Sequence, residues 1–297
     1  MDQTNTSLVK GRVATINKRG SFLLKKYKIL LKTYFTTQKN FIKIIYFILK
    51  DFIQPFLDTE PTGKFGCDLI LTNDDTTSEV LKKRGIKTKV VITGDPGLDT
   101  TYKKISRLNK KQNHSKIKVV LITTGYVEHG VWTKNMWNSS LNQILSAVKD
   151  EEEKIDFSIK IHPVTERKEE YEKIVHKSGL KIPIYQTENL MKIYSESDVI
   201  VSLGTGSWAI VEAVLMEKKV LAVNFFNESI ENLPYVKYEV ASEVKNVENF
   251  YEKILTIHSS KISKEKRDLF IEKYLYKFDG KSSERSAEAI LKLFSAQ

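Results

Sequence analysis

Residues 198–225, DVIVSLGTGSWAIVEAVLMEKKVLAVNF, read as strand, glycine-rich turn, helix and strand. DVIVSLG (198–204) and KVLAVNF (219–225) are short apolar runs, and Ser207–Glu217 between them has the apolar spacing of a helix. A strand, a helix of about 10 to 15 residues and a second strand make a right-handed crossover, so the two strands lie parallel. Both are apolar on both faces, as a sheet covered by helices on either side requires.

The same alternation extends outward. Strands are expected at KVVLITTG (118–125), FSIKIHP (157–163) and KIPIY (181–185), and helices over Thr133–Val148, Glu166–Lys177 and Asn189–Glu196. Helices over 246–258, 263–276 and 283–295 close the chain. On the N-terminal side, CDLILTN (67–73), a helix Asp75–Arg84 and KVVITG (89–94) form a further short βαβ unit. Pro96 reads as a turn into a linker centred in the lysine-rich stretch Lys103–Lys118. The expected fold class is α/β, a doubly wound parallel sheet over 115–297, preceded over 1–105 by a reduced, helix-rich part.

Composition excludes several classes. The chain has 297 residues, 41% hydrophobic and 29% charged, as a globular protein does. A single cysteine, Cys67, excludes an internal disulfide framework and a Cys-based zinc site, and points to a reducing compartment. The first nine residues lack the positive region of a secretory signal, and no uncharged apolar run reaches the ~20 residues that span a bilayer. The net charge of +11 is concentrated: residues 1–50 hold eleven Lys/Arg and one acid, the remainder 37 basic and 36 acidic residues. A neutral body argues against a nucleic-acid partner, and a basic arm points to a local anionic one, a membrane surface or a polyanionic acceptor. On a helical wheel, Lys25, Lys28, Lys32, Lys39, Lys43 and Lys50 share an arc of about 60°, opposite Tyr27, Leu30, Tyr34, Phe41, Ile45, Ile48 and Phe52. This is one amphipathic helix, or two in phase with a break near Thr36–Asn40, ended by Pro55 and Pro61. Either it lies on a membrane with lysines near anionic headgroups, or its apolar face packs on the sheet.

Ligands of open parallel sheets bind at the carboxyl ends of the strands, which selects three loops. Gly204-Thr205-Gly206-Ser207 starts a helix whose free N–H groups would seat a phosphate, and Glu212 in its second turn could accept from a ribose diol. His162, ending a strand before Pro163, could donate to a phosphate oxygen or act as acid or base. Thr123–Gly130 is a polar loop bounded by Gly125 and Gly130, with Glu128 and His129 adjacent in it. Each loop taken singly could equally be an ordinary strand-to-helix connection; together they read as a nucleotide-phosphate site. The chain lacks GxxxxGK[ST], GxGxxG and G-x-S-x-G, and its histidines lack metal-ligand spacing.

Four stretches resemble a known set. Ile92–Asp99 (ITGDPGLD) is similar to the "VTGNPxxD" junction of GT-B-fold enzymes, and Lys160–Pro163 to their "KxHP" strand end. Ser197–Ser202 with Gly204–Ser207 and Glu212-Ala213 resembles "SDxxISxxSSxxxEA", and Phe278–Arg285 (FDGKSSER) resembles "xDGKASER". The set occurs in CDP-glycerol glycerophosphotransferase-like and capsule-type glycosyltransferases of surface-polysaccharide synthesis. UDP-N-acetylglucosamine 2-epimerases share parts of it. The resemblance covers about residues 67–290. It implies that 115–297 is a GT-B C-terminal, Rossmann-like domain binding a nucleotide-sugar. His162, Thr205 and Ser207 would then contact the diphosphate beside Gly125, Gly204 and Gly206, and Glu212 would hold the ribose, with no metal in the site. It also implies a transferase with no cofactor, taking a nucleotide-activated sugar or CDP-polyol as substrate and a polysaccharide or lipid-linked acceptor. Glu128 or His129 is the candidate base, and the expected location is the cytoplasm or the inner membrane face. Only about 90 residues precede Thr93, and Val9-Lys10-Gly11-Arg12 stands where the family has a "QHG" loop, so the acceptor half is shortened. The alternatives are a UDP-N-acetylamino-sugar 2-epimerase and a non-catalytic nucleotide-sugar-binding or membrane-associated module.

Overall fold

The computed structural model describes residues 27–29, 31–32, 42, 45–46, 48–49, 67–83, 85–105, 115–204, 208–227 and 233–295. Two compact units result, one of residues 1–67 with 86–88, the other of 68–85 with 89–297. In the first, the ten described residues before residue 50 are helical; the rest of the expected amphipathic helix, with its break and its ends, lies outside the described residues.

The second unit contains two parallel sheets. The smaller pairs β1 (Leu69–Thr72) with β2 (Lys89–Ile92), in register Leu69 to Lys89, joined by α1 (Asp75–Lys83). After β2 the chain turns directly into α2 (Gly97–Ile105). The linker expected after Pro96 thus begins as a helix: the Asp95 carboxylate accepts from the Gly97 N–H at 2.6 Å, and Leu98 is buried on its inner face. The middle of that linker lies outside the described residues.

The larger sheet has six strands, all parallel, in the order β5-β4-β3-β6-β7-β8. They are β3 (Ile117–Ile122), β4 (Ile155–Lys160), β5 (Ile184–Tyr185), β6 (Val199–Leu203), β7 (Lys219–Val223) and β8 (Ser242–Val244). Counted from β3, this is the order 3-2-1-4-5-6 of a doubly wound sheet, as the sequence led us to expect. The edge strand β8 was not anticipated. Crossovers run through α3 (Lys134–Lys149), α4 (Lys168–Ser178), α5 (Leu190–Glu196), α6 (Trp208–Leu215) and α7 (Pro234–Lys237). Thr133 and Asn189 cap α3 and α5, accepting from the N–H groups of Met136 and Lys192.

Alternate residues of each strand enter opposite cores. Leu121, Ile159, Val201 and Leu221 pack with Leu141, Ile144 and Leu145 of α3 on one face. Val120, Ile122, Ile200 and Ala222 pack with Tyr194, Ile210 and Val214 on the other. α8 (Phe250–Ser259) covers the first face and α9 (Lys264–Phe270) the second, through Ile254 and Phe270. At the amino edge, Asp198 accepts from the Lys118 N–H at 3.0 Å, so that part of the "SDxxIS" stretch ties β6 to β3, away from the carboxyl edge.

The helix expected over 263–276 is interrupted. A π-turn (Ile271–Leu275) follows α9 and stops at Tyr276, whose φ is 66°. The last helix, α10 (Ser282–Phe294), then returns to the start of α2. Its first N–H groups, from Ser282 and Ser283, donate to Asp99 at 3.0 and 2.7 Å. Arg285 donates through Nε to the Thr93 carbonyl at 2.8 Å and forks onto both oxygens of Asp279 at 2.9 and 2.8 Å. The two stretches 92–99 and 278–285 are therefore the two halves of one joint.

Candidate functional site

The strand order reverses between β3 and β6, and it is at the carboxyl ends beside such a reversal that doubly wound folds have their ligand crevice. Gly125, after β3, has φ +62°, and a β-carbon on it would stand 2.4 Å from Thr165 Oγ1 and 3.5 Å from Glu128 Oε2. Gly204, after β6, has φ +88°, and a β-carbon there would stand 1.9 Å from Tyr126 Cε2. The loops after β3, β4 and β6 thus touch one another. Tyr126 leans on Trp132 at 5.2 Å between ring centroids, and Trp132 on Phe226 at 5.1 Å, which brings in the end of β7.

His162 ends β4 with a defined orientation. Its Nδ1 accepts from the N–H groups of Val164 at 3.2 Å and Thr165 at 3.1 Å. A nitrogen that accepts carries no proton, so the ring proton sits on Nε2 as a donor. The His162 N–H donates to Glu166 Oε2 at 2.6 Å. Glu166, buried, also accepts from the Thr123 hydroxyl at 2.5 Å and, through Oε1, from the Tyr171 hydroxyl at 2.5 Å. Burial, then the Glu166 charge, push the Tyr171 phenol well above its ordinary range. The Lys160 ammonium is buried beneath this edge and donates to the carbonyls of Ile161 and Gln186, both at 2.8 Å. Burial lowers its pKa, against the opposing charges of Glu188 and Glu166.

Glu212 is half-buried on α6 and accepts from Thr101 Oγ1 of α2 at 2.8 Å. Glu128 is half-buried beside Gly125, whereas His129 is exposed and gives its N–H to the Gly125 carbonyl at 3.0 Å. Thr205, Gly206 and Ser207 lie outside the described residues. Gly125, His162 and Gly204 therefore share one edge with Glu128. Glu166, Thr123, Tyr171 and Lys160 were not singled out from the sequence as a group. Glu166 reads there only as the first residue of a helix, although α4 begins two residues later. Among the described residues, no cluster of three or more His, Cys, Asp or Glu could hold a metal ion. No helix among them is long and apolar enough to cross a membrane.

No family model matches the chain, and no curated protein does. Solved structures do. The UDP-GlcNAc 2-epimerase of Methanocaldococcus jannaschii, in complex with UDP-GlcNAc and UDP, matches at TM-score 0.57 and 16% identity, over 93% of this chain and 81% of that one. Staphylococcus aureus MnaA with UDP matches at TM-score 0.52 and 20% identity, over 77% of this chain. The chain spans 60% of the length of MnaA. At these identities the likeness is one of fold, and it places the six-stranded unit among the GT-B-like parallel α/β folds.

Proposed function

We propose that this chain binds a nucleotide-activated sugar or polyol in the crevice between β3 and β6 and transfers the sugar or polyol phosphate to a hydroxyl of a polysaccharide or lipid-linked acceptor. The observation that carries this reading is His162, held with Nε2–H as donor at the switch-point edge, beside Gly125 and Gly204, whose bare α-carbons let the loops after β3, β4 and β6 close on one another around it. In the reading, His162 and the turn from Gly204 through Thr205, Gly206 and Ser207 receive the phosphates. Glu212, held by Thr101, serves the ribose. Glu128, half-buried against Gly125, is better placed than the exposed His129 to take the acceptor proton. The acceptor oxygen attacks the anomeric carbon and a nucleoside diphosphate leaves. With a CDP-polyol it attacks phosphorus and the nucleoside monophosphate leaves. Donors fixed beforehand stabilise the charge on the leaving group.

His162→Ala is expected to weaken UDP, CDP or GDP binding by roughly 10- to 100-fold, the worth of one hydrogen bond to a charged group. Calorimetric titration of both proteins with each nucleotide measures it. A folded wild type that binds none of them, or an unchanged affinity in the variant, sinks the reading.

The likeness to the Methanocaldococcus jannaschii UDP-GlcNAc 2-epimerase supports a second reading, inversion at C2 of a UDP-N-acetylamino sugar. Inversion must break the C2–H bond. Uptake of solvent deuterium at C2 of UDP-GlcNAc with no acceptor present would favour it. Nucleotide release that requires an acceptor favours transfer.

A membrane-bound acceptor is supported by the first unit. Ile42, Ile45, Tyr46 and Leu49, spaced as one helical stripe, are all exposed, in a region of net charge +10. The protein is expected to float with vesicles of anionic lipid at low salt and to be released steeply as salt rises. Equal flotation with neutral vesicles, or none with anionic ones, would remove this part of the proposal.

A further inference from the structure

Glu166 occupies the turn after β4 and is only 5% exposed. A carboxylate buried in this way is costly unless its oxygens are well supplied with donors. Here three donors reach it from three places: the hydroxyl of Thr123 after β3, the N–H of His162 at the end of β4, and the hydroxyl of Tyr171 on α4. The Tyr171 oxygen in turn accepts from Trp137 Nε1 of α3 at 3.0 Å, so the far side of the carboxylate is anchored in the core. The turn also closes in the opposite sense, because the N–H groups of Val164 and Thr165 converge on His162 Nδ1. The side chain of residue 166 holds the backbone of residue 162, and the side chain of residue 162 holds the backbone of 164 and 165. The imidazole therefore cannot rotate without releasing two backbone donors. Those donors cannot shift while Glu166 pins the start of the turn to Thr123.

We propose that Glu166 is a positioning residue, whose grip on the His162 N–H and the Thr123 hydroxyl keeps the His162 imidazole in the Nε2–H tautomer, aimed at the phosphate crevice. The role in phosphate binding rests on the function proposed above; the control of the tautomer does not.

Three variants separate geometry from charge. Glu166→Gln keeps the length and an oxygen that can accept from His162 and Thr123. Glu166→Asp keeps the charge but is one methylene too short to reach those two donors and Tyr171 together. Glu166→Ala removes both. The imidazole 15N signals of His162, recorded without nucleotide, report which ring nitrogen carries the proton. Calorimetry with UDP and CDP reports affinity, and thermal melting sets a temperature at which each variant is folded. The wild type and Glu166→Gln are expected to show one tautomer, Nε2–H, and affinities within about threefold of each other. Glu166→Asp and Glu166→Ala are expected to show mixed tautomers and at least tenfold weaker binding while folded. If Glu166→Ala does not fold, the order of Gln above Asp decides. A single Nε2–H tautomer and wild-type affinity in folded Glu166→Asp would overturn the proposal and leave Glu166 a purely structural group. A wild type that binds no nucleotide would remove the function proposed above, and the nitrogen signals would still decide whether Glu166 orders His162.

Discussion

Asp99→Ala is expected to destabilise the second unit by about 2–3 kcal/mol, a fall in melting temperature of roughly 5–10 °C. Asp99 is nearly buried, and its two oxygens take the first two N–H groups of α10. Alanine strands both donors in a closed joint and removes a negative charge from the helix start, where the dipole favours it. The Arg285 guanidinium beside it has only donors, which serve the Thr93 carbonyl and Asp279, so it cannot replace the lost acceptor. Asn at this position keeps one acceptor and should lose about half as much. The joint is also expected to be acid-labile. Burial alone would raise the Asp99 carboxyl, but the hydrogen bonds from Ser283 and Ser282 and the charge of Arg285 outweigh it and hold the pKa below the ordinary range. Asp279 is lowered in the same way, burial being outweighed chiefly by its bond from Arg285. A depressed carboxylate contributes stability above its unfolded pKa and loses it as pH falls through the folded one. Wild-type stability should therefore drop more steeply than that of Asp99→Ala below about pH 4. Melts across that range measure it, and parallel curves for the two proteins would show that Asp99 does not hold the joint.

That joint shows where reading the chain stops. TGDPGLD and FDGKSSER are recognisable strings, but nothing local says that Asp99 caps a helix that starts 183 residues later. The sheet was legible for the opposite reason: strands such as VVLI and VIVSL carry their burial on both faces within five or six residues. β8, three residues long with one buried, holds too little pattern to be seen. α2 did leave a trace, since Leu98, Tyr102 and Ile105 lie one helical face apart, but Pro96 and the lysines that follow read as a break. The candidate site divides similarly. The rule that ligands sit at strand ends picks out Gly125, His162 and Gly204 from the sequence, because position along a strand is a local property. Glu166 is not recoverable in this way. Its role depends on Thr123, 43 residues earlier, and on a turn whose hydrogen bonds exist only once β3 and β4 are paired.

Gly204→Ala is expected to cost about 2–4 kcal/mol of stability and, under the function proposed above, to abolish nucleotide binding at concentrations that saturate the wild type. Two effects add. At φ +88° a β-carbon is strained by roughly 1 kcal/mol against the backbone itself. It would also stand 1.9 Å from the Tyr126 ring, well inside contact distance. Neither side can give way easily. The Gly204 carbonyl is held by the Ser202 hydroxyl at 3.0 Å and the Tyr235 hydroxyl at 3.5 Å. The Tyr126 ring is backed by Trp132, itself buried and set against Phe226. Relief would have to come from the loop after β3, and that movement would carry Gly125 and Glu128 away from the edge they share with His162. A double-mutant cycle isolates the contact. In a Tyr126→Ala background the ring is gone, and Gly204→Ala should cost only the backbone strain, about 1 kcal/mol. Chemical denaturation of the four proteins gives the coupling energy directly. If the alanine costs the same with and without the ring, the bare α-carbon at 204 is not there to let the β3 and β6 loops meet, and the crevice would have to be closed by other contacts.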